Sequence, residues 1–415
     1  MKKIKYIFIY LLFVFSNLIF AQSGWYPLSS GTTTYLNKIQ FVNSQTGWAG
    51  GHQGIPTYYI LIKTTNGGDT WIDQRPNFPY GNRIISLFFL NANTGWITGA
   101  DGLFKTTNGG NNFIALNGNC VNDCYFVDNL TGWILCVPVA PQLMKTTDGG
   151  TTFNSQYINI GSSEQLSSIR FINTSTGWCV GNNYIFKTTN GGTNWTSQTH
   201  PYCTGIKCVY TLSSEIAWIT ADSGKVLSTT NGGIEWISKS IGSNYSVSSV
   251  YFVNPSTGYI STYPRNIFKT VNNGINWYPQ MTDTSSIINS IYFTSNDTGF
   301  ACGSMGKIFK TTNGGGTIGI KKINEIIPNK YSLSQNYPNP FNSSSKFNIG
   351  ITKQSNVRVL VFDALGRKIE TIVNEELNPG TYEVLFDATN YPSGIYFYKI
   401  IIGDYKETKR MTLIK

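Results

Sequence analysis

The order of apolar and polar residues recurs along most of this chain. A short apolar run ending in an aromatic, as in IRF at 169–171, leads through polar residues to a Gly-aromatic pair, as in TSTGW at 174–178. An apolar lead then enters a Thr/Asn/Gly-rich box, as in YIFKTTNGG at 184–192, and the aromatic Trp195 closes it. Apolar runs this short, bounded by turn residues, predict strands rather than helices. Each unit resolves into four. Strand one precedes the Asn-containing turn and strand two starts at the Gly-aromatic pair. Strand three leads into the box, and strand four begins at the closing aromatic.

The units keep a steady beat. Aligned on the Asn or Asp of the box, they fall at Asn66, Asn108, Asp148, Asn190, Asn231, Asn272 and Asn313, with spacings of 42, 40, 42, 41, 41 and 41 residues. KTTNGG itself recurs unchanged from Lys63, Lys105, Lys187 and Lys310. In step run FVNSQTGW at 41–48, FLNANTGW at 89–96, FVDNLTGW at 126–133 and FINTSTGW at 171–178. Weaker copies follow as YTLSSEIAW at 210–218, FVNPSTGY at 252–259 and FTSNDTGF at 293–300. Four strands in about 41 residues predict an all-β, seven-bladed β-propeller, whose blades repeat at roughly 40–45 residues. The closing aromatics are Trp71, Phe113, Phe153, Trp195, Trp236 and Trp277, and the box after Asn313 has none. Trp25 stands alone ahead of the first strand one. The expectation is that an N-terminal strand at Trp25 completes the last blade, closing the ring and covering exposed sheet edges.

The box has a local physical reason. Asn-Gly suits a hairpin because both residues tolerate positive φ, and an Asn side chain can bond nearby backbone groups. In the sixth copy Asn273 replaces the first Gly, the next best residue for positive φ. The closing Trp is expected to lie against the turn and the adjacent blade. Calcium at the Asn/Asp positions, or an anion at the Gly pair, is the functional alternative. Seven equivalent copies on one rim favour architecture.

The pattern resembles the Asp-box, or bacterial neuraminidase repeat, whose form is Ser-x-Asp-x-Gly-x-Thr-Trp. Thr64, Asn66, Gly68, Thr70 and Trp71 occupy those places in the first copy, and Asp148 retains the acid once. The in-phase TGW and KTTNGG motifs look most like seven-bladed propellers of the photosystem II assembly and stability factor type, over roughly 24–318. That resemblance implies a binding platform and not an enzyme, with no cofactor; nothing in the chain signals photosynthesis. The enzyme alternative is an exo-acting, sialidase-like glycoside hydrolase, which needs an arginine triad, a Tyr nucleophile and an acid. The repeats hold only Arg75, Arg83, Arg170 and Arg265, none in that family's early Arg motif, and Glu164, Glu215 and Glu235 are scattered over different blades. A carboxylate pair would have to form across the pore. A Ser-His-Asp set would have to use His52 or His200, and neither lies in a nucleophile-elbow context.

In a propeller of this topology the turns joining strands one to two and three to four share one rim, and here both are repeated motifs. The loops joining strands two to three, and four to the next blade, share the other rim and are irregular. Irregular loops on a rigid scaffold commonly carry binding. They place Tyr58, Tyr59, Phe78, Tyr80, Arg83, His200, Tyr202, Tyr263 and Arg265 around one face, as the candidate rim for an extracellular protein or glycan. A purely structural or adhesive surface protein is a further alternative.

The two ends read differently. Lys2, Lys3 and Lys5, an apolar run from Tyr6 to Phe15 and the small Ala21 before Gln22 predict a secretory signal over 1–21, cleaved between Ala21 and Gln22. That run is about half the ~20 residues of a spanning helix, and no later segment is long and apolar enough, so no transmembrane anchor is expected. After the propeller (22–320) a linker is expected at 321–330 and a small Ig-like β-sandwich at 331–415. YPNPFN at 337–342, DALGR at 363–367, GIYFY at 394–398 and the Lys-rich end with Met411 and Lys415 strongly resemble the type IX secretion C-terminal sorting domain. That implies the type IX machinery as a partner, and a destination outside the cell or on the outer-membrane surface.

Charge adds little. The formal +10 includes the three leader lysines, and residues 22–320 carry 15 Lys/Arg against 12 Asp/Glu with no basic stripe, so no nucleic-acid footprint exists. Export permits disulfides among the seven cysteines. Cys120–Cys124 and Cys203–Cys208 are candidate loop staples, while Cys136, Cys179 and Cys302 follow the Gly-aromatic pair as small strand residues. With only two histidines, zinc-type spacing is absent.

Overall fold

Among the described residues, thirty-six strands and one short 3-10 turn at Ser304–Gly306 make up the regular structure of the computed structural model. It describes residues 24–415 apart from 54–57, 75–82, 100–101, 117–121, 137–142, 161–164, 264–265, 283–285, 316–319, 325, 343 and 389–390. Ala21, Gln22, Phe78, Tyr80 and Arg265 lie outside the described residues. Six four-stranded antiparallel sheets (I–VI) follow one another in sequence. Sheet I holds Tyr35–Phe41, Gly47–Gln53, Tyr58–Thr64 and Ile72–Asp73, and sheet VI ends with Tyr278–Thr282. Sheet VII is made of Ile288–Phe293, Gly299–Gly303 and Ile308–Gly315, with the N-terminal strand Gly24–Leu28 on its outer edge. Tyr26 pairs with Lys310 and Leu28 with Ile308 there.

Burial grades across each sheet. Strand two is buried on both faces, as Gly95–Gly99 and Gly177–Gly181 are throughout. Strand four is exposed in Ile72–Asp73, Asn154–Ser155 and Thr196–Ser197. It starts one residue later than the sequence suggested, because the closing aromatic turns inward. Trp71 meets Phe41 edge-on at 6.0 Å, Trp195 meets Phe171 at 5.9 Å, and Trp277 meets Phe252 at 6.1 Å. These closing tryptophans cover their own sheet's strand one, and closing aromatics also reach the neighbouring sheet as expected: Trp236 donates to Gln198 Oε1 at 3.0 Å and Trp25 meets Tyr259 edge-on at 6.4 Å. Trp25, buried, meets Phe293 in the same way at 5.7 Å and 87°.

The aromatic of the TGW motif adds a stacked contact between sheets. Trp48 stacks on Phe89 at 3.6 Å, Trp96 on Phe126 at 3.6 Å and Trp133 on Phe171 at 3.4 Å. Trp218 lies on Phe252 at 3.7 Å, Tyr259 on Phe293 at 4.0 Å and Phe300 on Phe41 at 3.7 Å. Phe41, Phe171, Phe252 and Phe293 are thus each held between an edge-on ring and a stacked one, a pairing worth about 0.5–1.5 kcal/mol beyond burial. Sheet V has Thr211 in place of that Phe. There Trp178 has no ring to stack on, and its indole N–H donates to Gln198 Oε1 at 3.2 Å.

The glycine of TGW follows from the same packing. A Cβ at Gly132 would sit 2.2 Å from the Phe126 ring, and one at Gly177 would sit 2.6 Å from Phe171. In sheet V the residue facing Thr211 is Ala217. Glycine yields to alanine where the ring is gone.

The box is one hydrogen-bond arrangement repeated. Thr64 Oγ1 donates to Asn66 Oδ1 at 2.9 Å and accepts from Gly68 N–H at 2.9 Å; Thr70 N–H donates to Asn66 Oδ1 at 3.0 Å. Positive φ belongs to the two glycines (Gly67 +69°, Gly68 +91°) and not to the Asn, which works through its side chain. Asn273 takes φ +57° in the sixth copy. Asp148, at the Asn position of the third box, is pulled down to about 2 by the Thr152 hydroxyl and N–H groups bonded to it. The lysine that opens the box lies over its own sheet's TGW aromatic and reaches the next sheet. Lys63 donates to Gly109 O at 2.9 Å, Lys105 to Gly149 O at 3.0 Å, Lys187 to Gly232 O at 2.8 Å and Lys310 to Gly67 O at 2.8 Å. Sheet V has Ser228 there, and Lys239 of its strand four donates to Asn273 O instead.

Two further four-stranded sheets form the C-terminal part, one built on Ser344–Ile351 and Gly380–Asp387, the other on Ser355–Asp363 and Gly394–Ile402. Their inward residues, among them Phe347, Val359, Val384 and Tyr398, share one core. The segment expected as a linker contributes to it: Ile320–Asn324 is a strand paired with Gly380–Asp387. Its partner lies some sixty residues ahead, so nothing local in IKKIN marks it as paired.

Candidate functional site

On the irregular rim the described candidates divide by exposure. Tyr202 (81% exposed) lies in the loop entering sheet V, and Tyr263 (55%) ends strand two of sheet VI, Gly258–Tyr263. Arg83 is exposed, while Tyr59 and His200 are half-buried. Tyr58 begins strand three of sheet I. Two tyrosines not singled out from sequence share this rim, Tyr157 (80%) between sheets III and IV, and Tyr245 between V and VI. Their signal was available, since both lie in loops from strand four to the next sheet.

The loops beneath Tyr202 are tied together. Lys225 Nζ donates to Tyr202 O at 3.0 Å, and Gly224 N–H donates to Tyr245 O at 2.7 Å. Asp222 accepts from Ser246 Oγ and pairs with Lys207, both at 2.9 Å. Burial would raise the Asp222 carboxyl, but those two donors hold it below its ordinary value. His200 Nε2 faces Asn183 O at 2.9 Å and Nδ1 faces Pro201 O at 3.0 Å. Two carbonyl oxygens facing both ring nitrogens favour the imidazolium. With the Cys203 contact as the first cause and those carbonyls after it, the His200 pKa rises to about 9. His52, by contrast, faces the Asn37 amide at 2.9 Å, and burial, then Arg83, lower its pKa.

The staples proposed for these loops are not made. Cys203 and Cys208 are both free buried thiols, and so is Cys124; Cys120 lies outside the described residues. Cys136, expected as a plain strand residue, is disulfide-bonded. Cys179 and Cys302 are buried free thiols, as small strand residues would be.

A second candidate, missed from sequence, lies where the strand ones meet. A cavity of about 260 Å³ is lined by residues from strand one of all seven sheets. Two positions supply its character. One residue before the end of strand one's aromatic position stand Gln40, Phe88, Tyr125, Arg170, Tyr210, Tyr251 and Tyr292, all half-buried. Two residues earlier, on the same face, stand Lys38, Ser86, Asp123, Ser168, Cys208, Ser249 and Ser290. The first set ties neighbouring sheets: Tyr210 donates to Phe252 O at 2.9 Å, Tyr251 to Phe293 O at 2.8 Å, and the Gln40 amide makes two 2.8 Å bonds to Phe89. Burial pushes the Tyr210 and Tyr251 hydroxyls well up, so they remain donors.

Among the described residues, Asp123 is the one carboxylate lining this cavity. It accepts from Ser86 Oγ at 2.8 Å, Ser168 Oγ at 3.2 Å and Ile169 N–H at 3.2 Å, and pairs with Arg170 Nη1 at 2.9 Å. Burial opposes its ionisation, but Arg170, Lys38 and these donors bring its pKa below the ordinary value. Arg170 also lies over the Tyr125 ring at 5.5 Å. A hydrogen-bonded buried pair of this kind is self-contained. Among the described residues no group of three or more His, Cys, Asp or Glu could hold a metal ion, and no helix is long and apolar enough to cross a membrane.

Residues 114–261 match the family described as photosynthesis system II assembly factor YCF48, and residues 335–415 match the secretion system C-terminal sorting domain. No curated protein matches the chain. Among solved structures it is similar to YCF48 bound to a D1 peptide, at 18% identity over 70% of this chain and 95% of that one, TM-score 0.58. It is similar also to YCF48 from Cyanidioschyzon merolae, at 15% identity over 69% and 98%, TM-score 0.56. PorZ, an essential surface component of the type-IX secretion system of Porphyromonas gingivalis, aligns at 13% identity over 94% of this chain and 60% of PorZ, TM-score 0.58. At such identities the likeness shows the fold alone. The chain carries a β-propeller like that of the photosystem II assembly factor and ends in a type IX sorting domain. That domain marks it for export, to be secreted or held at the cell surface.

Proposed function

We propose that this protein is a non-enzymatic binding module displayed outside the cell, recognising an extracellular protein or glycan through the irregular rim of a closed, seven-bladed ring. The observation that carries the reading is the set of exposed tyrosines there, Tyr157, Tyr202 and Tyr263, with the segments beside Tyr202 and Tyr263 tied by the Lys207–Asp222–Ser246 bonds. Exposed aromatic rings with polar tips bind at little entropic cost when their support is rigid. Closure of the ring is supported by the Phe300–Phe41 stack and by Lys310 donating to Gly67 O, the same kinds of contact that join sheets I and II and sheets II and III. The C-terminal pair of sheets around one core suits the Ig-like sandwich expected for the sorting domain. YCF48 bound to a peptide and a surface-located PorZ provide precedents for a propeller of this shape in recognition. Against a glycosidase built on a carboxyl pair stands the lining of the axial cavity, where Asp123 is the one carboxylate among the described residues.

The test is a protein and glycan array probed with the exported chain and with a Tyr157/Tyr202/Tyr263→Ala variant. The reading expects ligands that the wild type retains and the variant loses. Turnover of a glycoside or sialoside panel by the wild type would replace it with the enzyme reading. Unchanged array binding by the variant would remove the rim from consideration.

A further inference from the structure

The axial cavity is asymmetric in a way that the rim reading does not use. On the side of sheets II, III and IV its polar groups are satisfied among themselves, through Ser86, Asp123, Ser168 and Arg170. On the side of sheets VI, VII and I they are not. Ser290 Oγ accepts from Ile39 N–H at 3.4 Å and Ser249 Oγ accepts from Ile291 N–H at 3.3 Å. Each hydroxyl thereby uses its acceptor side on backbone, and its own proton has no acceptor among the described residues. Both serines are more than nine-tenths buried. Lys38, between them and Asp123 in the ring of strand ones, is half-buried and likewise makes no hydrogen bond or ion pair among the described residues. Three donors from three adjacent sheets therefore line one wall, and no acceptor is provided for them. Buried donors left in this way are costly unless something accepts from them.

Charge agrees with that geometry. Lys38, Arg170 and Asp123 line the cavity, and the Arg170–Asp123 pair cancels, leaving one positive charge. Tyr251 and Tyr292 line the same space with ring centroids 5.2 Å apart, and the Tyr251 hydroxyl donates to Phe293 O at 2.8 Å. A volume of about 260 Å³ is just below the ~300–1,000 Å³ of drug-sized ligand sites. It suits one ring-sized group.

We propose that the axial cavity binds a singly charged carboxylate carried on a body the size of one sugar or one amino acid. Lys38 and the hydroxyls of Ser249 and Ser290 hold the carboxylate, and Tyr251 and Tyr292 cover the body. The site is independent of the rim and of whatever the rim binds.

The experiment titrates the full exported chain with D-glucuronate, N-acetyl-L-glutamate and neutral D-glucose, followed by calorimetry and ligand-observed NMR. At least one of the two acids is expected to bind saturably, and which one distinguishes a sugar acid from a peptide acid; glucose is expected to bind at least tenfold more weakly. Lys38→Met should weaken the acid about tenfold or more, and Ser290→Ala by roughly two- to tenfold, as expected for losing a charged and a neutral donor. The Tyr157/Tyr202/Tyr263→Ala variant should bind the acid unchanged. Saturable binding of neither acid, equal affinity for glucose, or a Lys38→Met variant that binds the acid normally would each overturn the proposal.

Discussion

Replacing Gly177 by Ala tests the packing that makes the repeat look as it does. The added Cβ would lie 2.6 Å from Cδ1 and Cγ of Phe171, and Phe171 cannot retreat because Trp133 stacks on it at 3.4 Å while Trp195 meets it edge-on. Overpacking of this kind costs about 1–3 kcal/mol, offset by ~0.5–1 kcal/mol because Ala restricts the unfolded chain more than Gly does. The expected net loss is about 1–2 kcal/mol. Phe171→Thr alone should cost about 3 kcal/mol from lost burial and stacking. The double variant recreates the Thr211/Ala217 pairing of sheet V and should be less unstable than the two losses combined, by about 1–2 kcal/mol. Ala217→Gly, where no ring stands, should lose ~0.5–1 kcal/mol. Denaturant unfolding followed by tryptophan fluorescence reads this cleanly, since all ten tryptophans lie between Trp25 and Trp277, outside the C-terminal sheets. Additive losses in the double variant, or a Gly177→Ala chain as stable as wild type, would refute the steric explanation.

Lys310→Met should cost about 1–2 kcal/mol, from the bond to Gly67 O and the contact with the Phe300 ring, and Lys239→Met should behave alike although it stands outside any box; equal unfolding midpoints would refute this. Asp148 has its folded pKa lowered to about 2, so its contribution is present above the unfolded value near 4 and is lost as pH falls toward 2. Asp148→Asn, the residue six other boxes use, should flatten acid sensitivity in that window when melting is followed against pH. His200 has its pKa raised to about 9, so its contribution is complete below the unfolded value near 6.5 and is lost as pH rises through 9. In His200→Gln that alkaline loss of melting temperature should disappear.

The repeat was legible because every unit meets the same neighbour. Trp, Gly, Phe, Thr, Asn and Lys recur where the same stack, clash or bond recurs, and the place of Trp25 followed from one missing ring. The direction of the contacts was not legible: spacing shows that Trp71 is required, but not that it covers Phe41 while Trp48 reaches Phe89. The axial cavity was hidden for two reasons. Its residues vary from unit to unit, from Lys38 to Asp123 to Ser290, so they carry no repeated signature. A bulge also breaks the two-residue alternation of strand one between Leu36 and Lys38, Ile84 and Ser86, Val247 and Ser249, and Ile288 and Ser290. Cysteine spacing misled because Cys203 and Cys208 lie close in sequence on separate buried positions, and both remain thiols.

The two rims can be separated in one measurement. With a ligand captured by the exported chain, affinity and unfolding midpoint are read together for two variants, Tyr157/Tyr202/Tyr263→Ala on the irregular rim and Asn66/Asn108/Asn190→Ala in the boxes. Losing the box bonds, such as Thr70 N–H to Asn66 Oδ1, should lower the midpoint by about 1 kcal/mol per site and leave the affinity of the folded fraction intact. The rim variant should keep its midpoint and lose the ligand. Loss of affinity in the box variant, with an unaffected rim variant, would contradict the division of architecture from recognition.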